Sequence, residues 1–287
     1  MVYGIIGALD EEIALVKEKM TGIEEHRLYG RSFYTGRIGQ KNVVLVCCGV
    51  GKVNAALFAN AVIREFKADA VINIGIAGAI GAGIGVMDVV LSTDAVFHDQ
   101  DEIMVKYYPF CKYFKADETL LSLAKAACEQ VPLHGKATCG RIVTGDQFVN
   151  DPAVKFSLRE RFDPCCTEME GAAIAHASYV NDTPFLIIRT MSDSADDGAD
   201  ESYDNFIDTA AHQSAAIVLK MLELALSNRT SPGVHRYDEH RGFFTASPAA
   251  SLSVCGAPSW RPPGRIPGSR SSVYTFCGQY GACCSPW

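Results

Sequence analysis

Two hydrophobic periods alternate along the chain up to about residue 227. Runs rich in Val, Ile and Phe predict strands over residues 3–8, 32–38, 42–48, 70–76, 88–97, 136–143, 165–168 and 185–190. Apolar residues spaced three to four apart predict helices over 11–20, 53–66, 118–130, 171–179 and 203–226. Several of the strand segments are apolar on both faces, as expected of strands covered above and below by helices. The pattern predicts one three-layer α/β/α domain, residues 1–227, around a mixed central sheet. Residues 70–87 have the length of a membrane span, with Asn73 the one polar residue. Five glycines and the following Asp88 make them instead a buried strand running into a glycine-rich loop, and no membrane association is expected.

Composition changes at residue 228. From there to 287 there is no lysine, six arginines stand against two acids, and Pro, Gly and Ser are dense. Such a segment reads as a disordered or foreign extension; a basic interaction arm is the alternative. The extension carries +4 of a total of −7, which leaves −11 on the first 227 residues. An acidic body of this kind argues against nonspecific nucleic-acid binding. The eleven cysteines include three adjacent pairs and no Cys-x-x-Cys, so they read as reduced thiols, four of them in apolar strand contexts. The N-terminus lacks a basic start and turns acidic within ten residues, which points to the cytoplasm.

Candidate chemistry gathers where predicted strands end. Asp10, Glu11 and Glu12 follow the first strand, Glu168 ends the strand at 165–168 with Glu170 just beyond it, and Arg189, Ser192 and Asp193 lie at the end of the strand at 185–190. Open α/β sheets build their sites at such ends. If Glu12, Glu170 and Asp193 converge, they suit cleavage of a glycosidic bond. That reaction passes through a sugar cation, needs a proton on the leaving group and needs a base for water. Taken singly, Glu12 reads equally as the first turn of a surface helix, Glu170 as an acceptor at a helix N-terminus and Asp193 as a turn cap. Gly49-Val50-Gly51-Lys52 lacks the remaining P-loop positions, and residues 75–85 give no Gly-x-Gly-x-x-Gly, so no nucleotide cofactor is expected. His98-Asp99-Gln100-Asp101-Glu102 has no histidine pair at ligand spacing, so it reads as a solvated acidic loop and no metal is expected.

Five segments in order resemble the bacterial 5′-methylthioadenosine/S-adenosylhomocysteine nucleosidases of the nucleoside phosphorylase superfamily. They are residues 4–12, Gly49-Val50-Gly51-Lys52-Val53-Asn54, Thr144-Gly145-Asp146-Gln147-Phe148, residues 168–175 and Arg189-Thr190-Met191-Ser192-Asp193. The resemblance covers roughly residues 1–226 and implies a nucleoside phosphorylase-like fold, a nucleoside substrate, no cofactor and a homodimer. It implies that Glu12 activates water, Asp193 protonates N7 of adenine, and Glu170 holds the ribose hydroxyls above Met169. It further implies that Phe148 stacks on the base, the Val149 backbone reads its edge, Ser192 and Arg189 orient the acid and the ribose network, and Tyr203 lies beside the 5′ group. Ala8 and Ile76 complete the expected binding set. Ile76 stands where the family usually carries a small hydroxyl residue, and residues 99–114 are shorter and more aromatic than usual. The acidic first turn would repel phosphate, which favours water over a phosphorylase reaction. A phosphate-dependent phosphorylase and a binding protein without catalysis are the alternatives.

Overall fold

In a computed structural model the chain is described over residues 1–195 and 199–225. The segment 228–287, expected to be an extension, lies outside the described residues. Strands β1 (Val2–Gly7), β4 (Lys41–Cys47), β5 (Ala70–Ala79) and β10 (Phe185–Asp193) form the centre of one mixed sheet, with β1 parallel to β4 and β5, and β5 parallel to β10. All ten residues of β5 and all nine of β10 are buried, the burial that continuous apolar runs demand. β6 (Val89–Phe97), β8 (Ala137–Thr144) and β9 (Cys166–Glu168) continue the sheet, and β10 pairs with both β5 and β6. Strands β5, β10, β6, β8 and β9 therefore close on themselves, with the short β7 (Phe114–Lys115) added to β6.

Helices cover both faces. On one face α2 (Lys52–Arg64) and α5 (Gly171–Val180) pack Phe58, Val62 and Ile174 against Ile6, Val44 and Ile187. On the other, α1 (Asp10–Lys19), α3 (Glu118–Cys128) and α6 (Ala199–Leu224) bring Ile13, Leu120, Val218 and Leu222 onto Ile5, Leu45 and Ile188. These are the three layers that the pattern predicts. Residues 70–87 are β5 and the turn after it. No helix among the described residues is long and apolar enough to cross a membrane.

Besides the two-residue β7 and a short 3-10 turn at Glu102–Lys106, two longer elements are absent from the expected set. β2 (Thr21–Leu28), antiparallel to β3 (Arg31–Ile38), is an edge strand, and its Glu24, Glu25 and Arg27 leave no apolar alternation. Charge on an edge discourages pairing with other chains, so the same residues that hide the strand from its pattern suit its place. α4 (Pro152–Phe162) buries just Leu158 and Phe162, too few for a helical stripe. Its start was nonetheless written locally: Asp151 Oδ1 accepts the Ala153 N–H at 2.7 Å, and Pro152 opens the first turn.

Candidate active site

The carboxyl ends of β1, β5, β9 and β10 surround a cavity of about 410 Å³. Its lining includes Ala8, Glu12, Ile76, Phe148, Val149, Met169, Glu170, Ser192, Asp193 and Tyr203. Ten of the eleven expected site residues are thus together, and the exception is Arg189. That side chain is 1% exposed, and it lies behind the wall rather than on it.

Glu12 is 2% exposed, so it belongs to the buried face of α1 and not to its solvent face. Its Oε2 accepts the N–H groups of Ala8 (2.6 Å) and Leu9 (3.0 Å), which also closes the N-terminus of α1. Its Oε1 accepts the Ile76 N–H at 3.0 Å. A carboxylate offers about four acceptor positions, so these three donors leave one for a water molecule. Burial pushes the Glu12 carboxyl up in pKa, against the opposing pull of Arg189 and of the three N–H groups. The contact to Glu12 is made by the main chain of Ile76, whatever its side chain. The side chain itself belongs to an apolar cluster with Met87, Ala210 and Ala211, against which Leu9 and Tyr203 pack.

Ser192 and Asp193 are consecutive in a strand, yet both line the cavity. A register shift between Met191 and Asp193 explains this: Met191 pairs with Ala77 and Asp193 with the next residue, Gly78. The extra residue re-aims the strand end, as bulges do beside sites. Ser192 Oγ donates to Asp193 Oδ2 at 2.8 Å, and the Ala195 N–H donates to Oδ1 at 2.8 Å. A Cβ on Gly78 would stand 2.8 Å from Oδ1, so only glycine lets the acid occupy this place.

Glu168 organises the wall behind. It accepts the N–H groups of Glu170 (3.0 Å) and Gly171 (2.6 Å) at the positive end of α5, and it receives hydrogen bonds from Thr144 Oγ1 and Arg189 Nη2. Arg189 Nη2 also donates to Asn73 Oδ1 at 2.7 Å and lies 3.5 Å from Glu170 Oε2, while Nη1 lies 3.8 Å from Glu12 Oε1. Burial disfavours the guanidinium charge, but Glu168, Glu170 and Glu12 outweigh it and push the Arg189 pKa up. Burial pushes Glu170 up to about 7, with Arg189 and the Gly51 N–H opposing and Glu168 and Glu12 reinforcing the rise. Glu168 as the partner of Arg189 was not foreseen. The signal was present in Glu168-Met169-Glu170, two acids with one residue between them after an apolar strand.

The acidic loop at 98–102 is not simply solvated. Asp99 Oδ2 lies 2.6 Å from Lys52 Nζ and accepts the Asp146 N–H at 3.0 Å, while Asp146 Oδ1 accepts the Lys52 N–H at 2.9 Å. The adjacent Gly51 N–H donates to Glu170 Oε1 at 2.9 Å. Gly51 has φ 100°, a left-handed conformation that favours glycine. One clamp thus joins the turn before α2, the loop carrying Phe148 and the carboxylate of Glu170. Phe148 and Tyr203 meet edge to face, centroids 5.8 Å apart, at the cavity mouth. Among the described residues no group of His, Cys, Asp and Glu has the arrangement of a metal site.

A mixed sheet with helices on both faces, and carboxylates at its strand ends around a small-molecule cavity, defines a protein of the nucleoside phosphorylase-like class. The pattern of the Phosphorylase superfamily matches residues 2–223. The 5′-methylthioadenosine/S-adenosylhomocysteine nucleosidase of Staphylococcus carnosus (strain TM300) is 39% identical over 230 residues, 77% of this chain and 99% of that protein. The chain belongs to this nucleosidase family within the Phosphorylase superfamily. Two solved nucleosidases of that name are similar in structure. One, from Neisseria meningitidis in complex with methylthio-immucillin-A, has a TM-score of 0.75 and 38% identity, covering 78% of this chain and 99% of its own. Another, from Colwellia psychrerythraea 34H in complex with adenine, has a TM-score of 0.74 and 37% identity, covering 78% and 95%.

Proposed function

We propose that the protein hydrolyses the N-glycosidic bond of 5′-methylthioadenosine, S-adenosylhomocysteine and similar 5′-modified adenosines, releasing adenine and the 5′-thioribose. The observation that carries this reading is the meeting of Glu12, Glu170 and Asp193 in one cavity with an aromatic ring, Phe148, at its mouth. Asp193, held by Ser192 and the Ala195 N–H, gives a proton to N7 as the bond from N9 to C1′ breaks. Positive charge then develops on the sugar, and the carboxylates of Glu12 and Glu170 favour it. Glu12 takes a proton from water as the water oxygen bonds to C1′. Its burial raises its pKa, which strengthens it as a base. Glu170 accepts from the ribose hydroxyls over Met169, Phe148 stacks on adenine, the Val149 backbone reads its edge, and Ala8, Ile76 and Tyr203 enclose the sugar and the 5′ group. Arg189 acts one layer back, holding Glu168 and Glu170.

Water rather than phosphate is the nucleophile. Among the described residues the cavity lining includes the acids Glu12, Glu168, Glu170 and Asp193 and no lysine or arginine. Arg31 approaches Gly49 but is not among the lining residues. Mixing the protein with 5′-methylthioadenosine in phosphate-free buffer and following adenine by chromatography tests this. Release that phosphate does not accelerate is expected. Release only after phosphate is added would make the enzyme a phosphorylase, and binding without release would make it a binder.

Residues 1–227 form the working domain, and it acts as a homodimer in the cytoplasm. Ile103, Met104, Tyr107, Tyr108 and Phe110 are exposed on one loop, more apolar surface than an isolated subunit needs to show. The seven described cysteines are all free thiols, which supports a reducing compartment.

A further inference from the structure

The peptide unit between Ser194 and Ala195 is held at both ends. Its N–H, on Ala195, donates to Asp193 Oδ1 at 2.8 Å, and its C=O, on Ser194, accepts from Lys155 Nζ at 2.5 Å. A peptide is planar, with N–H and C=O pointing in opposite directions, so a group that fixes one end aims the other. Lys155 stands on α4, three residues before Leu158 and seven before Phe162, along the face that α4 buries. Leu158, Phe162 and Ala195 belong to one apolar cluster with Ile80 and Val149, so α4 packs beside this turn. Lys155 itself is not among the residues that line the cavity.

The turn needs such a hold. Ala195 has φ 50°, in the left-handed region that residues other than glycine rarely adopt. Turning the peptide over would carry that φ by half a rotation into the ordinary extended range and relieve the strain. The same rotation would swing the Ala195 N–H away from Asp193 and present the Ser194 carbonyl oxygen to the carboxyl group instead. The ammonium group on the carbonyl opposes that rotation. As a charged donor it makes a strong hydrogen bond, and it polarises the peptide so that the N–H on the far side becomes a better donor to Asp193. Glycine at position 78 makes room for the turn as it does for the acid, since a Cβ there would stand 2.9 Å from that of Ala195.

We propose that Lys155 is a positioning residue for the proton donor: it holds the peptide between Ser194 and Ala195 in the orientation that directs the Ala195 N–H to Asp193. The proposal rests on the hydrolase reading for the reaction, and it adds to that reading a residue on a helix outside the cavity wall.

Steady-state release of adenine from 5′-methylthioadenosine by four full-length proteins tests it: wild type, Lys155→Met, Ala195→Gly and the double variant. Lys155→Met is expected to lower kcat by about tenfold, since small misplacements of a reacting group are costly, while KM stays within about twofold. Glycine adopts the left-handed conformation without strain, so nothing then drives the peptide over. In the Ala195→Gly background the lysine substitution should accordingly lower kcat by about threefold or less. A Lys155→Met protein with the wild-type kcat would overturn the proposal, and so would a loss confined to KM, which would mark a contact with substrate. An equal fold-loss in both backgrounds would overturn it too, because the lysine would then act by a route other than this turn. A wild-type protein that releases no adenine would be a different failure, refuting the hydrolase reading and the proposal with it.

Discussion

Glu170 shows what burial does to a single residue here. Its carboxyl is pushed up to about 7 from 4.5, so the folded protein holds this proton more tightly than the unfolded chain. The stability that this contributes is complete below about 4.5 and is lost as pH rises through about 7. Glu168, Glu12, Arg189, the Gly51 N–H and the nearby Cys48 thiol are the groups that face it. Glu170→Gln removes the titration, so its melting temperature should gain on the wild type by about several degrees between pH 5 and pH 8. A difference that stays constant across that range would show that burial does not raise the Glu170 pKa. Acids at strand ends were visible in the sequence because their position follows apolar runs. The placement of Arg189 behind the wall was not, because an arginine after an apolar strand looks the same whether it meets a ligand or neutralises buried glutamates.

Between elements, the clamp of Lys52, Asp99 and Asp146 connects three segments far apart in the chain. Lys52 is about a quarter exposed, and an ion pair so placed adds little to stability, about 1 kcal/mol or less. Its value lies in holding the Phe148 loop against the turn that supplies the Gly51 N–H to Glu170. Lys52→Met should therefore lower kcat/KM by about tenfold while moving the melting temperature by only about a few degrees, since small misplacements are costly to catalysis. A variant with wild-type kinetics would reduce the clamp to surface decoration. Central strands were legible because their apolar runs are continuous, and long helices because their apolar residues recur at helical spacing. β2, α4 and the bulge at Met191–Asp193 were not, because an edge strand, a sparsely buried helix and a one-residue register shift leave no hydrophobic period. The bulge nonetheless decides the site, since without it Ser192 and Asp193 would point to opposite faces.

For the whole molecule, the described part of residues 1–225 supplies every one of the proposed site residues and both helical layers. The superfamily pattern ends at residue 223. A chain ended after Ser227 is accordingly expected to fold, to sediment as a dimer and to keep the adenine-releasing rate of the full chain. Loss of folding or of rate on truncation would assign the extension a part in the domain, and a monomer with full activity would remove the exposed aromatic loop from the account of assembly. The boundary expected at residue 228 rests on composition alone, since packing a core needs an apolar periodicity that residues 228–287 lack.

The central claim is that carboxylates from separate strand ends break one glycosidic bond, with Asp193 delivering the proton. Its most direct test compares wild type with Asp193→Asn for two quantities, adenine affinity and the rate of adenine release from 5′-methylthioadenosine. Affinity is expected to stay within about tenfold of wild type while the release rate falls by about 10² to 10⁴, the contribution of a positioned acid. A variant that releases adenine at the wild-type rate would contradict it.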